Sequence, residues 1–414
     1  VEKSEFIHDP IVSRVKLLYV FLGGSMAETS ISKKIEITIR AMNNHGFETQ
    51  GVFVHNKNDN SSHPDNGITY LKSELTESKR FRKDDQKESD WMAFVSYVMP
   101  MIETMDYIYL RYPLSHPCMI PFLKRYGNKV VIEHNTNELG ELKMLEPLHP
   151  FGLSYSQMID WFSFQRLIQR ETSVAPKILS MIRLGLANTP ETVRYQKNRT
   201  KDYPCKLLTN GIDFSKKSSR KYDSAIDKTL TAVVMRGSAQ MGIYDGLDRL
   251  ILGLKNYDGD IRIRVVLIGK SFKEDLELAT LHGVSDVFHH LGELHGEELE
   301  FELKKCHLGI GTLALHRKGM SEASVLRVNH YLSIGLPVMV GYRDVELMNE
   351  PKLAPFFHQI EANDEPLDVN SMVNFAQALY ENQNVHKEIF TLAKKSLSFE
   401  NRMEQLKSYL NIDS

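Results

Sequence analysis

The sequence predicts an α/β chain of two parallel-sheet domains, on three observations. Its 414 residues exceed what one hydrophobic core usually organises. Short apolar runs alternate with helical periodicities along most of the length. A polar stretch near the middle separates two such series. Buried strands alternating with amphipathic helices imply parallel sheets with covered faces, because each parallel pair needs a crossover.

The first strand is the continuous apolar run at residues 15–22, VKLLYVFL. Ile31, Ile35, Ile39 and Met42 then form a helical stripe that ends at Gly46. Residues 47–54 read as the next strand, and 107–110, 129–133 and 184–188 continue the series. Residues 56–87 break the rhythm with Asn, Asp, Ser and the cations Lys79, Arg80, Arg82 and Lys83. They read as an irregular surface excursion, with acceptor or membrane contact as its functional reading.

Residues 214–228 are polar, charged and poor in apolar side chains, as an interdomain linker would be. A second series follows from Thr229, with strands at 230–235, 261–268, 287–291, 307–313 and 337–340. The last helix, from Ser398 to Leu410, carries Phe399, Met403, Leu406 and Leu410 on one side, and is expected to pack back on the body. The expected organisation is therefore 1–213, a linker at 214–228, 229–397, and a returning helix in 398–414. Two such units facing each other leave a cleft at the carboxyl ends of their strands, where loops and helix N-termini meet a ligand.

Composition narrows the function. Lys plus Arg total 51 against 53 Asp plus Glu, which leaves no basic footprint for nucleic acid. Cys118, Cys205 and Cys306 lie far apart without C-x-x-C spacing, so reduced thiols are expected. There is no signal-like start and no run of about 18 to 20 apolar residues. A cytoplasmic protein is expected, with peripheral contact at the inner face of the membrane as an additional reading. No Asp-x-Asp triplet and no other carboxylate pair is read as a divalent-ion site.

The most informative stretch runs from His316 to Ser324, HRKGMSEAS, between an apolar strand and a helical pattern that ends at Gly335-Leu336-Pro337. A diphosphate suits this place, since Arg317, Lys318 or Arg327 and the helix start all oppose its charge. On spacing alone, a solvated loop with Gly335 as helix cap fits equally well.

Here the sequence resembles the retaining GT-B glycosyltransferases of family 4. In that family a strand leads to a loop glutamate, a second glutamate follows eight positions later, and Gly-x-Pro precedes the next strand. Glu322 and Gly335-Leu336-Pro337 fall at the matching positions. The resemblance implies that Glu322 contacts the hydroxyls of the transferred sugar. His330 stands where the second glutamate binds ribose, and a neutral imidazole offers one acceptor where a carboxylate would take both ribose hydroxyls. The family's diphosphate-binding Arg and Lys are not reproduced: Arg236 does not align and Asp245 replaces the lysine. Neutralisation is expected from Arg317, Lys318 and Arg327 instead.

Further matches are weaker. Gly23-Gly24 resembles the glycine-rich loop after the first strand, where a plain tight turn is the alternative. His134, closing Val130-Val131-Ile132-Glu133-His134, resembles the histidine near the reacting sugar, where a hydrogen-bonded loop histidine is the alternative. Asn210-Gly211-Ile212-Asp213 matches the turn before the linker, and Gly269 and Gly292 sit where main chain recognises the base. The resemblance implies a GT-B fold with two Rossmann-like domains. It further implies retaining, metal-independent transfer from a UDP- or GDP-linked sugar to a glycan or lipid-linked acceptor, in polysaccharide or glycolipid assembly. No further cofactor is implied, and the leaving phosphate itself assists deprotonation of the acceptor, so no protein nucleophile is assigned. Other readings are a degenerate GT-B protein serving as partner or chaperone of an active transferase, a nucleotide-sugar epimerase or phosphorylase, and a dinucleotide-dependent α/β protein. Gly23-Gly24 lacks the full G-x-G-x-x-G, which weighs against the last.

Overall fold

A computed structural model of the chain describes residues 14–23, 30–56, 67–73, 82–144, 155–215, 217–219, 226–237, 242–270 and 272–412. Its first sheet contains β1 (Val15–Leu22), β2 (Phe47–Asn56), β3 (Ile68–Ser73), β4 (Tyr107–Arg111), β5 (Val130–His134), β6 (Leu184–Ala187) and β7 (Cys205–Leu207). They lie in the order β3-β2-β1-β4-β5-β6-β7, all pairs parallel. The second sheet contains β8 (Thr229–Arg236), β9 (Arg262–Gly269), β10 (Phe288–His290), β11 (Leu308–Ile310), β13 (Val338–Val340) and β15 (Phe357–Gln359). Its order is β10-β9-β8-β11-β13-β15, again parallel throughout. The short strands β12 (Glu322–Ala323) and β14 (Arg343–Asp344) pair as a separate ribbon.

Alternate residues along each strand serve opposite faces. Leu18, Val20, Ile108, Leu110 and Ile132 pack beneath Trp91, Phe94 and Val98 of helix Arg82–Val98. Leu17, Tyr19, Tyr109 and Val131 meet Ile35, Ile39 and Met42 of helix Ser30–Asn44 on the other face. The last helix, Phe399–Leu410, joins that same layer through Phe399, Met403, Leu406 and Leu410. The second sheet is sandwiched likewise, with Val328, Tyr331 and Leu332 of helix Leu326–Leu332 on one face and Leu247, Leu250 and Ile251 of helix Leu247–Lys255 on the other.

The excursion expected at residues 56–87 is corrected in part. Residues 68–73 pair with β2 as a strand and a helix begins at Arg82, while Lys79 and Arg80 lie outside the described residues. Of the strands in the two large sheets, the three absent from the sequence reading, β3, β7 and β15, all lie at sheet edges. An edge strand pairs on one side only, so it is short or half-polar and lacks the continuous apolar run of a central parallel strand.

The two passages of chain between the sheets run side by side. Ile212 bridges Ser398, with the Ile212 N–H donating to the Leu397 carbonyl at 2.7 Å. Beside them the buried Arg402 Nη2 donates to Glu346 Oε2 at 2.9 Å. No helix among the described residues is long and apolar enough to cross a membrane.

Two predictions follow from this packing. Leu406 has no exposed surface, so Leu406→Ala should destabilise the chain by about 2 to 5 kcal/mol, read as a lowered urea midpoint. Asp344 is also fully buried, bonded to the Tyr342 hydroxyl at 3.1 Å and the Glu346 N–H at 2.9 Å. Burial, then the charge of Glu346, pushes its carboxyl up to about 8 from the ordinary value of 3.8. Between those two values the unfolded chain has released the proton and the folded chain keeps it, so this group's contribution to stability falls as pH rises across that window. Asp344→Asn should therefore raise the melting temperature more at pH 8 than at pH 5, and an equal change at both would refute the shift.

Candidate functional site

The carboxyl ends of the strands place Gly23, Arg111, His134 and Ala187 at one edge of the first sheet, and Arg236, Gly269 and Ile310 at the corresponding edge of the second. The segment following β11 connects the two. It turns through a single 3-10 turn, Leu315–Lys318, and Gly319 then takes a left-handed φ of +68° before the chain enters β12. That conformation disfavours any residue with a Cβ.

Glu322 is 1% exposed, and every polar contact of its side chain is charge-assisted or made to a helix end. Its Oε2 accepts from the Glu191 N–H at 2.7 Å, at the start of helix Pro190–Arg199. Its Oε1 accepts from Arg194 Nη2 at 3.3 Å and from Arg343 Nη2. Glu191 reciprocates: its Oε2 accepts the N–H groups of Ser321 at 2.9 Å and Glu322 at 2.8 Å. These partners, Glu191, Arg194 and Arg343, are missing from the sequence reading. Thr189-Pro190 does mark a helix start, since Thr189 caps the Thr192 N–H at 2.9 Å and proline suits the first helical position. Nothing along the chain links that start to a glutamate 131 residues away.

The three cations expected to meet a diphosphate are separated. Arg317 grips Asp248 with both terminal nitrogens, at 3.0 and 2.7 Å, and reaches Asp364 with Nε at 2.7 Å. Lys318 turns to the first sheet's side, 3.1 Å from Glu141 Oε1. Arg327 is buried and donates to Asp245 Oδ1 at 2.5 Å, Thr312 Oγ1 at 2.8 Å and the Met235 carbonyl at 2.7 Å. Arg236, set aside in the sequence comparison, completes this cluster: Nε donates to Asp245 Oδ2 at 2.7 Å and Nη1 to Asp275 Oδ2 at 2.5 Å. Two guanidinium groups thus face two carboxylates. The Nε of Arg327 is enclosed with no hydrogen-bond partner among the described residues.

His330 follows on the same helix, and burial, with a lesser push from Lys217, lowers its imidazole to about 3. It is neutral at physiological pH, and its enclosed Nε2 has no partner among the described residues. The buried Asn210 donates its side-chain amide to the Ser324 carbonyl at 2.7 Å, tying the turn before the linker to the Glu322 segment. Gly292 adopts a φ of +73° with open space where a Cβ would stand, and its carbonyl accepts from the Gly269 N–H at 2.7 Å. Gly23 has a φ of +78°, with Asp90 Oδ2 3.2 Å from a would-be Cβ. Gly24 lies outside the described residues.

His134 ends β5 but is fully buried. Its Nδ1 lies 2.9 Å from Glu138 Oε1 and its Nε2 2.9 Å from the Tyr203 hydroxyl, so both ring nitrogens face protein groups in this geometry. The sequence has one Asp-x-Asp triplet, Asp258-Gly259-Asp260, and it precedes β9, at the edge of the sheet opposite the carboxyl ends. No group of three or more His, Cys, Asp or Glu side chains able to hold a metal ion occurs among the described residues.

Comparison by sequence finds no matching family model and no matching curated protein. Comparison by structure finds solved chains matched along nearly their whole length. Sucrose-phosphate synthase from Thermosynechococcus elongatus is 13% identical, with a TM-score of 0.67 over 96% of this chain and 98% of that one. WaaG, a glycosyltransferase of lipopolysaccharide biosynthesis, is 10% identical, with a TM-score of 0.58 over 92% and 99%. Alr3699/HepE of Anabaena, in complex with UDP-glucose, is 10% identical, with a TM-score of 0.57 over 96% and 99%. The two parallel-sheet domains of this chain have the fold of GT-B glycosyltransferase structures.

Proposed function

We propose that the chain is a glycosyltransferase that moves a sugar from a nucleotide-linked donor to a glycan or lipid-linked acceptor, with retention and without a metal ion. The observation that carries this reading is the placement of Glu322. The strand, glutamate loop, helix and Gly335-Leu336-Pro337 follow in the order of the resemblance, on a fold matched end to end by glycosyltransferase structures. The donor is a UDP- or GDP-linked sugar, and the UDP-glucose held by the Anabaena neighbour supports a ligand of that class. Polysaccharide or glycolipid assembly is the setting, and peripheral membrane contact belongs to the same proposal.

Roles follow from chemistry. Glu322 would accept hydroxyls of the transferred sugar, and His330 would lie beside the ribose as a neutral ring. The diphosphate would draw on the guanidinium groups of Arg327 and Arg236. Preorganised donors of this kind stabilise charge that develops on a leaving group. Arg317 is less suited, because Asp248 and Asp364 already occupy it.

A second reading is favoured by one observation: Asp245 stands between Arg236 and Arg327, so the cationic centre carries its own counter-charge. A degenerate GT-B protein that binds an active transferase as partner or chaperone would tolerate that arrangement. Ligand-induced stabilisation separates the two, since a ligand that prefers the folded state raises the melting temperature. With EDTA present, one series among UDP, GDP, ADP, CMP and their sugars should raise it. No response at millimolar ligand would leave the partner reading. His330→Glu should strengthen nucleoside diphosphate binding roughly tenfold, about 1.4 kcal/mol, by giving both ribose hydroxyls an acceptor. Unchanged affinity in a titration would remove His330 from the ribose position.

A further inference from the structure

We propose that Glu191, Arg194 and Arg343 form a latch that closes the sugar site over Glu322 and must release before a donor sugar reaches that carboxylate. The inference rests on the reading of Glu322 as a sugar contact, and adds to it a control on access.

The geometry is reciprocal. Glu322 takes the Glu191 N–H, and Glu191 takes the N–H groups of Ser321 and Glu322 together with the Ser321 hydroxyl at 3.3 Å. The two carboxylates thus exchange main-chain donors across the junction of the two sheets. Helix Pro190–Arg199 is ten residues long and capped by Thr189, so both negative groups also sit in the favourable field of its N-terminus. Arg194 and Arg343 then close on the remaining oxygen of Glu322 from the two sides.

A carboxylate offers about four lone-pair directions, and three of those on Glu322 are taken. The group is 1% exposed, so a sugar hydroxyl has no path to the fourth. Sugar contact therefore requires the helix start or the arginines to move away.

The same contacts are suited to movement. The side chains of Arg194 and Arg343 are 61% and 58% exposed, and ion pairs with such exposed partners are individually weak. Among the described residues the other polar contacts at this part of the junction are Lys318 with Glu141, and the Thr136 hydroxyl 3.8 Å from Met320 Sδ. Near the chain crossings, by contrast, the Asn210–Ser324 and Arg402–Glu346 contacts are buried. Motion at the latch is then compatible with an anchored crossing. If the competent state is only a fraction of the free protein, apparent affinity is reduced by that fraction, and loosening the latch recovers it.

The test uses Glu191→Gln combined with Arg194→Ala, and separately Arg343→Ala, with circular dichroism to verify that each is folded. Small-angle scattering of the ligand-free proteins measures opening, and titration with UDP-glucose and GDP-mannose measures access. Both variants should show a larger radius of gyration than the wild type and bind one nucleotide sugar several-fold more tightly. Unchanged scattering with unchanged or weaker binding overturns the latch, even where nucleotide sugars bind and the proposed function stands. Increased scattering dimensions with no nucleotide sugar bound by any of the proteins supports the latch and overturns the proposed function.

Discussion

A buried carboxylate is tolerated only where cations or main-chain N–H groups replace its water, and this constraint governs how the two sheets of the chain meet. Glu322, Asp245 and Glu346 are each nearly inaccessible, and each is matched by arginine: Arg194 and Arg343, Arg236 and Arg327, and Arg402. The pairs at Glu322 and Glu346 join elements far apart in the chain. The pair at Asp245 lies within the second sheet's own layer. Charge pairing therefore does two different tasks here, fastening one half to the other and fixing the floor of the candidate site.

The floor has a chemical consequence. A diphosphate needs positive charge that is not already spent, and Asp245 and Asp275 together balance Arg236 and Arg327. An anion entering there can share the guanidinium groups, since each offers five N–H donors in a planar fork and the carboxylates use only some of them. The arrangement gives a rigid array of donors with little net charge, so it would favour a ligand that brings several well-placed acceptors over one attracted by charge alone.

Legibility in the sequence followed burial. Central strands such as β1, β8 and β9 are covered on both faces, and their continuous apolar runs mark them within a residue or so. β3, with ITYLKS, has mostly half-buried positions, so nothing in its composition separates it from a loop. Glu322 was singled out for another reason: the resemblance that marks it rests on a local order of strand, loop and helix. Its partners were not, because ion pairs between Arg194, Arg343 and Glu322 are relations through space that no periodicity encodes. His134 shows the converse. Its position at the end of β5 was readable, but the Glu138 and Tyr203 groups that occupy its ring depend on packing of a helix and a loop against the strand.

The same distinction explains why His330 is informative. An imidazole in a polar surface loop would titrate near neutrality, whereas one enclosed by the helix Leu326–Leu332 and its neighbours is held neutral down to about 3. A neutral ring keeps one donor and one acceptor, and adds no charge to the helix that carries Arg327. A glutamate at this position would bring a charge into the same enclosure, and only partners such as two ribose hydroxyls would offset its burial.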